Sequence, residues 1–116
     1  MSALLRTEVE LEVNGVVVIR CMGELDMSVV DELVEAIEWS RTPDLQVLRI
    51  ETRGLEFIDS SGLHCLLKAK ERCDATGVRM ELVAGPAVQK LLEISGTIDH
   101  FHSRPSVVAV PAQPEA

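Results

Sequence analysis

The chain has 116 residues, and its 11 Lys plus Arg against 19 Asp plus Glu give a formal net charge of −8 at pH 7. That acidity argues against a nucleic-acid binder or a basic membrane-surface helix, and aromatic residues at 3% leave few rings to stack on bases. Hydrophobic residues at 47% supply a core for one domain without metals or disulfides.

Thr7 to Val13 alternates, with Val9, Leu11 and Val13 on one side and Glu8, Glu10 and Glu12 on the other, as a half-buried strand does. Asn14-Gly15 follows, a hairpin turn signal because both residues tolerate φ > 0. Val16 to Cys21 is almost wholly apolar and predicts a strand covered on both faces. From Asp26 the period changes. Val30, Leu33, Val34 and Ile37 fall at i, i+3, i+4 and i+7, with Asp31, Glu32, Glu35 and Glu38 between them. This spacing predicts an amphipathic helix, capped by Asp26 or Ser28 and stopped before Thr42-Pro43.

Leu45 to Ile50 predicts another strand. A second helix is expected from near Ser60 to Gly77, turning Leu63, Leu66, Leu67 and Cys73 inward. Val78 to Ala84 alternates again. Gly85-Pro86 opens a third helix, where Pro suits the first position, and Gly96 closes it. Arg104 to Ala116 holds three of the five prolines; Ser106 to Val110 is a candidate short strand, and the last six residues read as a disordered tail. The order β–β–α–β–α–β–α predicts a single small α/β domain. Its sheet is mixed and mostly parallel, with an N-terminal hairpin and helices packed on it. Residues 5–103 form that domain, and 104–116 form a Pro-containing tail.

Three cysteines, Cys21, Cys65 and Cys73, are odd in number and lack CxxC spacing, so neither a disulfide framework nor a zinc site is suggested. No stretch reaches the roughly 18–20 apolar residues needed to span a bilayer. The first ten residues turn acidic too soon for a signal peptide. A cytoplasmic protein without membrane insertion is expected.

The most informative segment runs from Leu55 to Leu63 and reads as a strand end and loop passing into a helix. Ser60 stands at the N-cap position, where its hydroxyl can accept a bond from a backbone N–H two or three residues on. Asp59, Ser60 and Ser61 set polar groups at the positive end of the helix dipole, a place that can host an anion, including a covalently attached phosphate. Taken alone, the same segment also describes an ordinary well-capped helix. A second loop, Gly23-Glu24-Leu25-Asp26, follows the second strand, and in a parallel sheet the two loops emerge on one edge.

Together, Gly-Glu-Leu-Asp at 23–26 and Phe-Ile-Asp-Ser-Ser-Gly-Leu at 57–63 resemble the STAS domain of anti-sigma factor antagonists, over roughly residues 5 to 102. The resemblance implies that Ser60 is phosphorylated by a serine kinase of histidine-kinase-like fold that doubles as the anti-sigma factor. Asp59, Ser61 and Gly62 flank it, and Asp26 lies beside it. His64 stands one turn on, where many members carry a small residue or Gly. The unphosphorylated form would bind the anti-sigma factor, the phosphorylated form would dissociate, and a serine phosphatase would reset it. No cofactor and no metal is implied. Family members continue past the third helix through a short strand into a C-terminal helix. The chain departs from them at Ser103-Arg104-Pro105, which leads to a Pro-containing tail in place of that last helix. The resemblance also leaves open a non-switching scaffold or accessory module in a stress-signalling or transport complex.

Catalysis is not expected. The sequence has no Gly-x-Ser-x-Gly elbow and no glycine-rich phosphate loop, and two of its three histidines lie near the C-terminal end. A receiver domain using Asp59 would need carboxylates after its first strand, where Asn14-Gly15 stands, and a later Lys than Lys90. His100 and His102 flank Phe101 at a spacing that suits metal ligands on a strand, but no third ligand is evident, so loop histidines are expected.

Overall fold

The computed structural model describes residues 5–102 and 107–109. β1 (Arg6–Leu11) and β2 (Val16–Leu25) form the expected antiparallel hairpin, with Val9 opposite Ile19. At its turn Asn14 and Gly15 take φ of 64° and 76°, the positive values for which this pair is suited. A Cβ on Gly15 would collide with the Asp44 carbonyl oxygen. The close approach is used, because the Gly15 carbonyl accepts the Gln46 N–H at 2.8 Å.

After the hairpin come α1 (Val30–Trp39), β3 (Val47–Ile58), α2 (Ser60–Thr76), β4 (Arg79–Ala84), α3 (Pro86–Ser95), α4 (Ile98–His102) and β5 (Val107–Ala109). The five strands lie in chain order, and every pairing after the hairpin is parallel. The candidate strand at Ser106–Val110 is thus present as β5, beside β4. The rest of the Pro-containing tail lies outside the described residues, as does any structure replacing the family's last helix.

Strand β2 does not have apolar cover on both faces. Val17, Ile19 and Cys21 join the core, while the alternate positions Val16, Val18 and Arg20 point to the other face. Val18 is buried there outside the core cluster, in register with Glu10 of β1 and Arg49 of β3. That outer face is a ladder of ion pairs: Arg20–Glu10 at 2.7 Å, Arg49–Glu81 at 2.7 Å and Arg53–Glu51 at 2.9 Å. Such pairs at the protein surface contribute little stability each, about 0–1 kcal/mol. They keep the uncovered face soluble. On the inner face, Leu48 and Ile50 of β3 and Met80 and Leu82 of β4 meet Leu33 and Ile37 of α1, Leu66 and Ala69 of α2, and Val88 and Leu92 of α3 in one core.

Two strands run further than the sequence suggested. β2 continues through Gly23-Glu24 to Leu25, with register irregularities at Arg20/Met22 and Gly23/Glu24, and Gly23 supplies a φ of 97° at the second. β3 continues to Ile58, so the segment read as strand end and loop is strand until one residue before α2. Helix α4 was not foreseen, and it places His100 and His102 in a helix rather than a strand or loop. Its anchor is Phe101, which is fully buried.

Candidate docking and phosphorylation site

The parallel register pairs Leu25 with Ile58 at the ends of β2 and β3. One residue further on, each strand leads into a motif aspartate, Asp26 or Asp59, and the Asp59 N–H donates to the Leu25 carbonyl at 3.1 Å. The two loops are therefore brought together by strand pairing, as the parallel topology required.

Asp59, not Ser60, caps α2. Its Oδ1 accepts the Gly62 N–H at 3.1 Å, and its Oδ2 accepts the Met27 N–H of the neighbouring loop at 3.1 Å. The carboxylate has two acceptor oxygens and so holds the helix start and the first loop at once. Ser60 becomes the first helical residue and is exposed, with its hydroxyl outside the capping bond. Ser61 is half-buried. Gly62 is buried where a Cβ would lie 2.7 Å from Ile58 Cγ1 and 2.9 Å from Leu25 Cγ, so the first turn of α2 rests directly on the two strand ends.

Asp26 does not cap α1, and neither does Ser28. The residue preceding α1 is Val29, which makes no side-chain cap. Instead Asp26 Oδ1 accepts from the Ser28 hydroxyl at 2.6 Å and from the Ser28 N–H at 2.9 Å. The carboxylate is used in its own turn before the helix begins. The Ser28 hydroxyl, then the Ser28 and Val29 N–H groups, stabilise the charged form and hold Asp26 below the usual carboxylate range.

His64 is exposed one helical turn beyond Ser60. The same sheet edge carries two apolar side chains that the motif reading passed over: Met27 is 75% exposed and Phe57 49%. Position was the missed signal. Met27 directly follows Asp26, and Phe57 stands two residues before Asp59 near the end of β3. A groove of about 760 Å³ between α1 and α2 opens beside Ser60 and Ser61. Cys65 borders it, and burial pushes its thiol up to about 11; Cys21, deeper in the core, is pushed up to about 12 by the same cause. Neither thiol is a nucleophile near neutral pH. No helix among the described residues is long and apolar enough to cross a membrane.

The model of the STAS domain matches residues 8–110. The chain belongs to the STAS domain family. Among solved structures it is similar to an anti-sigma factor antagonist from Mycobacterium paratuberculosis. The TM-score is 0.76 at 29% identity, covering 96% of this chain and 92% of that one. It is also similar to the anti-sigma factor antagonist SpoIIAA in its unphosphorylated form, with a TM-score of 0.66 at 26% identity over 91% of this chain and 90% of that one. A sulfate transporter family protein from Wolinella succinogenes shares the fold, with a TM-score of 0.70 at 21% identity over 84% of this chain and 80% of that one. No curated protein sequence matches the chain. A STAS fold is thus found both in anti-sigma factor antagonists and in a transporter-family protein, and the fold alone does not choose between those roles.

Proposed function

We propose that this STAS domain is an anti-sigma factor antagonist whose binding is switched by phosphorylation of Ser60. The observation that carries the reading is the position of Ser60: exposed, first in α2, with the cap supplied by Asp59. Its hydroxyl is therefore presented to a kinase without the helix start having to be dismantled. Similarity to the two antagonists supports the same reading.

Unphosphorylated, the Ser60 edge docks on an anti-sigma factor that is a serine kinase of histidine-kinase-like fold, and the sigma factor is freed. A phosphate on Ser60 adds about −1.5 to −2 charge. The domain itself tolerates it, because the helix N-terminus favours negative charge. The interface does not, because Asp26 and Asp59 already make that edge acidic, and a further anion must be desolvated there. A loss of about 1.4 kcal/mol is already tenfold in affinity. A serine phosphatase reverses the change. The domain works in the cytoplasm, through binding rather than catalysis, and touches no nucleic acid directly.

Incubation with the histidine-kinase-fold anti-sigma factors of its own genome and ATP tests the assignment. One phosphate is expected, mapped to Ser60 and absent in Ser60→Ala. A mass shift that persists in Ser60→Ala moves the site, with Ser61 next. Capture of one partner regardless of phosphatase treatment is the behaviour of a non-switching scaffold and contradicts the switch.

A further inference from the structure

The groove between α1 and α2 extends well beyond the serine edge. From Ser60 to Arg72, both of which line it, α2 supplies about 18 Å of wall at about 1.5 Å per residue. Val34, Cys65 and Ala69 give the walls an apolar character, and Val34 is 40% exposed. Arg72 donates to Glu38 across the far end, joining the two helices there. The end beside Ser60 and Ser61 carries no such bridge between described residues.

The two rims differ in sign. On α2, His64 and Lys68 line the groove and are exposed. α1 contains no basic residue, and its exposed Asp31 and Glu35 follow directly on the lining residues Val30 and Val34. Glu38, which lines the groove, adds a third carboxylate on the α1 side. A long apolar trough with a basic rim and an acidic rim complements an amphipathic helix better than a compact ligand.

Resting on the reading that the partner is an anti-sigma factor kinase, we infer that this groove receives an amphipathic helix of that kinase. Its apolar stripe packs between Val34 and Cys65, its carboxylates face His64 and Lys68, and its basic residues face Asp31 and Glu35. The docking surface then runs along both helices instead of ending at the two loops. A phosphate on Ser60 stands at the open end of the same trough.

Hydrogen–deuterium exchange of the full chain, with and without the anti-sigma factor kinase that binds it, tests the inference. Added protection is expected along 31–38 and 64–72 as well as in the loops at 26–28 and 59–62. Protection confined to the loops overturns the groove while leaving the antagonist reading intact; failure to bind any such kinase overturns both. Val34→Glu changes an already exposed position, and about tenfold weaker binding is expected at an unchanged melting temperature. Unchanged affinity overturns the inference. So does a small molecule that co-purifies with the wild type and is lost from Val34→Glu, since the groove would then hold a different occupant.

Discussion

The N–H of Met27 donates to Oδ2 of Asp59 at 3.1 Å, joining two residues 32 positions apart. The other oxygen of the same carboxylate caps α2 through the Gly62 N–H. Asp59 is therefore a clamp between the loops as well as a cap, and the two roles are separable by experiment. Asp59→Ala is expected to cost about 1–2 kcal/mol, the usual loss for a good N-cap, with faster amide exchange at Met27. Asp59→Asn keeps a capping oxygen and is expected to recover most of the stability. Urea unfolding checks the first expectation and amide exchange the second.

Gly62 is set by space rather than by backbone angle. The nearest atoms to an added Cβ belong to Ile58 and Leu25, at 2.7 Å and 2.9 Å, and both side chains are buried. Gly62→Ala is expected to lower stability by about 1–3 kcal/mol through overpacking. It is also expected to tilt the start of α2 away from the strand ends. Chemical-shift changes at Met27 and Asp59, beside a lowered melting temperature, are the check.

Asp26 gives a pH dependence of definite sign. Its folded carboxylate ionises below the ordinary range because the Ser28 hydroxyl and the backbone N–H groups favour the charged form. The contribution to stability is present above the unfolded value of about 3.9, and it is lost as pH falls through the folded value. Carboxyl-detected NMR titration is expected to find Asp26 below ordinary aspartates, and Ser28→Ala, which removes the hydroxyl and leaves the N–H groups, is expected to raise its midpoint part of the way back. An unchanged midpoint in Ser28→Ala would contradict the assignment of cause.

The buried thiols should be slow. Cys21 at about 12 and Cys65 at about 11 are almost wholly protonated at neutral pH, and the thiolate is the reactive form. Alkylation of the native protein at pH 7.4, a value chosen near the physiological range of about 7–8, is expected to be much slower than alkylation in denaturant. Intact-mass analysis over time distinguishes the two.

Much of this molecule was legible before its coordinates. The Asn14-Gly15 turn and the i, i+3, i+4, i+7 run of α1 each fix a local choice that the fold keeps. The alternation of Val9, Leu11 and Val13, by contrast, gives a strand without its buried face: all three are exposed, and Val13 lies beyond the end of β1 in the turn. The errors cluster where local and tertiary effects compete. Ser60 has the chemistry of a cap, but Asp59 precedes it and reaches Gly62 first. Asp26 looks like a cap for α1, yet a two-residue contact to Ser28 uses its oxygen. β3 outruns its apolar pattern because pairing with β2 carries the strand on through Arg53 and Gly54. α4 is short and weakly patterned, and the burial of Phe101, a tertiary effect, is what holds it. Met27 and Phe57 stand beside the motif aspartates, but their exposure, like the α1–α2 groove, depends on which faces the packing leaves open.

The central claim is that one phosphate on Ser60 undoes binding. The most direct measurement is the affinity of the cognate anti-sigma factor kinase for two forms of the full chain, unmodified and carrying phosphoserine at position 60. The phosphorylated form is expected to bind at least about tenfold more weakly, a difference of about 1.4 kcal/mol or more, while Ser60→Ala binds like the unmodified chain. Equal affinity of the two forms would contradict the switch.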